Sequence, residues 1–245
     1  MLHVLSAFCS DTRIVLGQEK VSEKSNEITA IPKMLEWLDV KGHIVTIDAM
    51  GCQYGIGNRI VSKGGDYIFS LKGNQGKLND NVRSWFENDV STKSHIDYDK
   101  GHGRLEERIC RVSNEVDWLR ELHPRWKHIK SIVEIKSKRE FDDKVTNETR
   151  YYISSLECNE KEMLSHIRSH WGIENSLHWI LDMSFNQDYS RIRKGNAPYA
   201  MAIINHIAVN LIQLAKPKRQ SVKRMRKICG WDEDTLDKVM QQKIS

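Results

Sequence analysis

The sequence predicts an α/β fold in which a mixed sheet is flanked by helices. Short apolar runs of strand character alternate with amphipathic helical stretches, and the first 88 residues read β-β-α-β-α-β-α. The chain has 245 residues, 39% hydrophobic and 29% charged with seven Trp. That is ample for a real core, as one large domain or as one domain carrying an inserted subdomain.

Residues 2–8 and 13–20 read as two strands joined by the turn Cys9-Ser-Asp-Thr12, a hairpin whose strands are antiparallel. Asn26 or Ser25 is placed to cap a helix over 27–38, with Pro32 tolerated near its start, and Gly42 follows its end. His43-Ile-Val-Thr-Ile-Asp48 is a short apolar run closed by an acid, the pattern of a strand buried on both faces with a functional group at its C-terminal end. A helix over 56–63 stops at Gly64-Gly65, a strand over 67–72 leads into Gly73-Asn-Gln-Gly76, and a helix over 78–86 follows. Residues 89–147 are heavily charged, with strand-like runs at 108–112 and 131–135, and read as a β-rich insertion. Strand character returns at 151–156. A helix then starts near Asn159, which forms a capping box with Glu162.

That helix carries the segment His170-Trp-Gly-Ile-Glu-Asn-Ser-Leu-His-Trp179. At about 100° per residue, Ile167, Trp171, Leu177, Leu181 and Phe185 share one face, with Glu174 in its middle and His170 and His178 beside it. Glu174 is therefore expected to point inward, where an ionised carboxylate needs a partner or a cation. Pairing with either histidine would satisfy it. His170, Glu174 and His178 together also admit a zinc site, although H-E-x-x-H is absent. Asp48 has its own alternatives, a turn-capping acid or a ribose-binding acid, but Gly51, Gly55 and Gly57 do not form G-x-G-x-x-G. If Asp48 ends a central strand and the Glu174 helix crosses the strand ends, the two carboxylates meet where a hard cation such as Mg²⁺ offsets their repulsion.

The net charge of +5 mildly favours a polyanionic partner. The five cysteines stand singly, which argues against a disulfide framework and fits a cytoplasmic protein. No signal peptide is expected. The apolar stretch 199–215 carries Asn205, His206, Asn210 and Gln213, so it reads as a buried helix and not a membrane span. Arg191, Arg193 and Lys194 mark a polar loop before it. Residues 216–227 hold seven basic side chains, among them Lys218, Arg219, Lys223 and Arg224, and no acid, the clearest candidate for phosphate contact.

Several ordered blocks carry a resemblance: Val45-Thr-Ile-Asp-Ala-Met-Gly-Cys-Gln53, Leu71-Lys-Gly-Asn-Gln75, His102-Gly-Arg-Leu-Glu106, the His170–Trp179 segment, Lys24-Ser-Asn-Glu-Ile-Thr-Ala30 and Arg191-Ile-Arg-Lys-Gly-Asn-Ala-Pro198. Together they resemble the ISAs1 family of insertion-sequence transposases, which includes the H-repeat-associated proteins of Rhs elements. The resemblance implies an RNase H-like fold and a DDE triad that cuts and joins DNA with Mg²⁺. Asp48 matches the second acid and Glu174 the third, both as catalytic and metal-binding residues, while Lys72 and Arg168, with His170 and Trp171, match positions near the site where contact with DNA phosphate or a structural role is expected. It implies insertion-sequence ends and target DNA as partners, admits a homodimer on DNA, and implies no membrane.

On this reading 1–88 is the N-terminal part of the core, 89–150 the insertion, 151–215 the C-terminal helical part carrying the Glu, and 216–245 a basic tail. The family's first acid sits in an Asp-Gly-Lys segment on the strand before the one beginning at Leu2. Asp11 lies in the following turn and is no substitute. The core is therefore expected to lack its first, central strand, leaving the strands that flank it with open edges, and the chain is expected to be an N-terminally truncated, inactive copy. A DNA-binding remnant that does not cut is the alternative, with a zinc-dependent hydrolase behind it.

Overall fold

Hydrogen bonding between the short apolar runs builds two sheets in the computed structural model, which describes residues 3–21, 26–89, 92–101, 104–142 and 144–242. Ser25, Lys24, Leu2 and His102, each singled out above, lie outside them. The chain divides into two compact units, one formed by Met1–Met34 with Ser169–Ser245 and the other by Leu35–Arg168.

The second unit is built on a six-stranded mixed sheet. Its strands are β3 (Ile44–Ile47), β4 (Asp66–Leu71), β5 (Ser94–Gly101), β6 (Arg104–Ser113), β7 (Ser131–Phe141) and β8 (Lys144–Ser154). They lie in the order β3-β4-β8-β7-β6-β5, with β3 and β4 parallel and every other neighbouring pair antiparallel. The strands of the charged stretch 89–150 thus extend the same sheet instead of forming one of their own.

Side-chain alternation gives this sheet two apolar faces. On one, Ile68, Cys110, Val112, Val133, Ile135 and Tyr152 pack against Met163, Leu164 and Ile167 of helix α5 (Glu160–His170). On the other, Tyr67 and Phe69 stack at 4.4 Å and meet Trp126, while Phe86 of α3 (Gly76–Asn88) stacks on Tyr151. Helix α2 (Tyr54–Ser62) reaches β4 through Gly57, where a Cβ would stand 3.2 Å from the Tyr67 ring. Gly57 therefore serves close packing, which the sequence alone did not show. Helix α4 (Asp117–Leu122) lies between β6 and β7 in the chain.

β3 differs from expectation. It lies at one edge of the sheet, and all four of its residues are only half-buried. The predicted burial on both faces assumed a central position.

The first unit holds the predicted hairpin, β1 (Val4–Cys9) and β2 (Ile14–Lys20), as a separate two-stranded sheet. β1 and β3 thus belong to different sheets. Helix α1 (Glu27–Trp37) starts in this unit and carries Pro32 as its sixth residue. Phe8 and Val15 pack with Leu177, Leu181 and Val209. A second cluster joins Ile212 of α7 (Ala197–Ala215), Val222 and Met225 of α8 (Val222–Cys229) and Val239 of α9 (Glu233–Met240).

Helix α7 has 19 residues and is long and apolar enough to cross a membrane by length and composition alone. The sequence reads it as a helix packing on the core. One face does so, through Ala202, His206, Val209, Asn210 and Ile212, while Ile203, Ile204 and Ile207 are exposed.

Candidate active site

Asp48 follows the last residue of β3 in the second unit and is exposed. Its Oδ1 accepts from the backbone N–H groups of Met50 at 3.1 Å and Gly51 at 3.4 Å, an Asx turn that a short acidic side chain makes readily. From the start of the next turn, Gly73–Gln75, Asn74 Nδ2 donates to Ala49 O at 2.5 Å and Gln75 Nε2 to Cys52 O at 2.8 Å. Burial, with the charge of Asp48 behind it, pushes the adjacent Cys52 thiol up to about 12. It stays protonated at neutral pH and is no nucleophile. Lys72 is exposed at the entrance to the same turn.

Glu174 belongs to the first unit and departs from expectation. Its side chain is 57% exposed and sits 3.2 Å from His178 Nδ1. The cause is local. Helix α5 ends at His170, and Glu174–His178 forms a π turn closed by the Trp179 N–H on Glu174 O, leading into α6 (Trp179–Phe185). The extra residue in that turn rotates the chain by about 100° relative to an unbroken helix. The single apolar stripe is thereby split: Ile167 joins the sheet core of the second unit, Leu177 and Leu181 join the hairpin core of the first, and Trp171 is 44% exposed. Turns of this kind recur at functional sites.

Arg168, at the end of α5, is held by two carboxylates: Nη1 lies 2.6 Å from Asp97 and Nη2 3.0 Å from Asp99. Arg108 faces the same pair and also meets Glu106 at 2.7 Å, and Glu106, only 1% exposed, takes a further bond from Arg139 at 2.9 Å. This network ties β5, β6 and β7 to α5. Sequence reading missed Asp97, Asp99, Arg108 and Arg139. The available signal was the same-face spacing Asp97-x-Asp99 opposite Glu106-x-Arg108.

The predicted basic surface lies in the first unit. Arg191, Arg193 and Lys194 are exposed on the loop before α7, and Lys218, Arg219, Lys223 and Arg224 are exposed on α8 and the turn before it. Arg226 is used differently, donating to Ser184 O with its guanidinium 4.8 Å above the Phe185 ring.

The sequence profile described as a transposase DDE domain matches residues 1–211. The chain belongs to the DDE transposase family. It is 42% identical to "Putative transposase YncI" of Escherichia coli O157:H7 over 98% of its own length and 63% of that protein's. With "H repeat-associated putative transposase YhhI" of Escherichia coli K12 it shares 39% identity over 98% of this chain and 65% of that one. It therefore spans just under two thirds of these curated relatives.

A DDE transposase domain implies a divalent metal cofactor. The hard carboxylate oxygens of Asp48 and Glu174 suit such an ion in kind. In number they fall short within either unit, since among the described residues no group of three or more His, Cys, Asp or Glu stands together to hold a metal. The same observation leaves a zinc site at His170, Glu174 and His178 without a three-donor cluster.

Proposed function

We propose that this DDE chain takes part in cut-and-join transposition of insertion-sequence DNA of the ISAs1 type, with Asp48 and Glu174 as the second and third acids and Mg²⁺ as the ion they hold. The observation that carries the reading is Asp48 itself. It ends a strand at a sheet edge with one carboxylate oxygen anchored by two backbone amides, a fixed acid of the kind that metal-assisted phosphodiester transfer needs. Once bound, a divalent ion would supply activation of the attacking oxygen and stabilisation of the leaving one. Asp48 and Glu174 would supply the carboxylate oxygens that hold it. The π turn supports a functional role for Glu174 by taking that carboxylate out of an apolar stripe.

Phosphate contact falls to Lys72, Arg191, Arg193, Lys194, Lys218, Arg219, Lys223 and Arg224, all exposed. Arg168, neutralised by Asp97 and Asp99, serves the fold. DNA ends, target DNA and a homodimer assembled on DNA are the partners, in the cytoplasm, a location that the free described cysteines support.

The test is strand cleavage of element-end DNA with Mg²⁺ or Mn²⁺ by this chain and by its Asp48→Ala and Glu174→Ala variants. Cutting by the chain that is lost in Asp48→Ala and in Glu174→Ala supports the reading. Cutting that survives either substitution overturns it.

A further inference from the structure

We infer that Asn74 and Gln75 are positioning residues for Asp48, acting through the backbone of the loop between them; the inference rests on the proposed role of Asp48 as a metal ligand. The loop 49–53 is gripped from both sides. Asp48 Oδ1 takes the N–H of Met50, and Asn74 Nδ2 donates to the carbonyl of Ala49. That carbonyl and that N–H belong to one peptide unit. The chain of bonds therefore runs from the Asn74 amide through a single rigid plane to the carboxylate, and hydrogen bonds in series polarise one another. Gln75 Nε2 fixes the far end of the loop at Cys52 O.

The consequence is a division of labour between the two carboxylate oxygens. Oδ1 is committed to Met50 and Gly51, while Oδ2 accepts no hydrogen bond among the described residues. The clamp anchors the carboxylate through Oδ1 on an exposed residue and leaves the second oxygen for an ion. Lys72 precedes the clamp by two residues, so one short turn carries both a cation for phosphate and the groups that set the acid.

The experiment is a MgCl₂ titration of the 245-residue chain, read by amide NMR at Met50 and Gly51, with thermal unfolding as the control. Asn74→Leu and Gln75→Met keep size and remove the donor. Wild type is expected to show a Mg²⁺-dependent shift at both amides, Asp48→Ala to abolish it, and each donor-less variant to weaken the apparent affinity about tenfold. Amide shifts in β6 and β7 should stay unchanged. A response that persists in Asp48→Ala overturns the metal-ligand reading. A response abolished by Asp48→Ala but kept within twofold in both clamp variants overturns the clamp alone. Gln75→Met, at a half-buried position, carries the comparison if Asn74→Leu does not fold.

Discussion

The side-chain amide of Asn210 pairs with Val15 as a neighbouring strand would, donating to its carbonyl at 2.8 Å and accepting from its N–H at 2.9 Å. A polar residue on the buried face of α7 thereby closes part of a two-stranded sheet. Both bonds are buried, so Asn210→Leu leaves a backbone donor and acceptor without partners. The expected loss is roughly 2–4 kcal/mol, measurable by urea denaturation. Unchanged stability would mean that β2 finds other partners.

Four positions along the same helix lies His206, 6% exposed, with its Nδ1 unpartnered among the described residues. Burial, with the nearby His178 adding to it, pushes its pKa down to about 4. The unfolded chain takes up this proton near pH ~6.5, so between those values the unfolded state holds more protons and stability falls as pH falls. The contribution is fully present above about 6.5 and should shrink by roughly 2–3 kcal/mol by pH ~4.5. In His206→Gln that slope should flatten. A slope identical to wild type would assign the acid sensitivity elsewhere.

The two glycines at the start of α2 should separate. A Cβ at Gly55 meets nothing within 4 Å, whereas at Gly57 it meets the Tyr67 ring at 3.2 Å. Gly55→Ala should stabilise by about 0.5–1 kcal/mol. Gly57→Ala should be neutral or destabilising, because helix and strand must move apart. Equal gains from both would show that α2 has room to spare.

Charges that contact phosphate and charges that hold the fold should differ in salt dependence. Lys223→Ala with Arg224→Ala should lower the slope of log K for DNA against log salt by about 2. Arg168→Ala, which strips Asp97 and Asp99 of a partner, should reduce thermal stability and leave that slope alone. Fluorescence anisotropy from low to moderate salt distinguishes the two.

Much of this was legible in the sequence because it is local. The hairpin, the Asn159 cap with the Glu162 N–H on its side chain at 2.9 Å, and the placement of Asp48 directly after a strand all follow from short-range pattern. The outward turn of Glu174 did not. A helical wheel assumes an unbroken 3.6-residue period, and no residue type announces a π turn. The edge position of β3 was equally hidden, since apolar content reports burial and not sheet order. Nor could spacing reveal that Asp97 and Asp99 claim Arg168, because that contact joins a strand to a helix some 70 residues away in the chain.

The most direct test of the central claim is equilibrium Mn²⁺ binding, followed by electron paramagnetic resonance, on wild type, Asp48→Ala, Glu174→Ala and the double variant. If both acids hold one ion, each single substitution should weaken binding by at least about tenfold, and the double variant should lose little more than either single. Binding unaffected by either substitution, or losses that simply add as for two separate ions, would contradict the account.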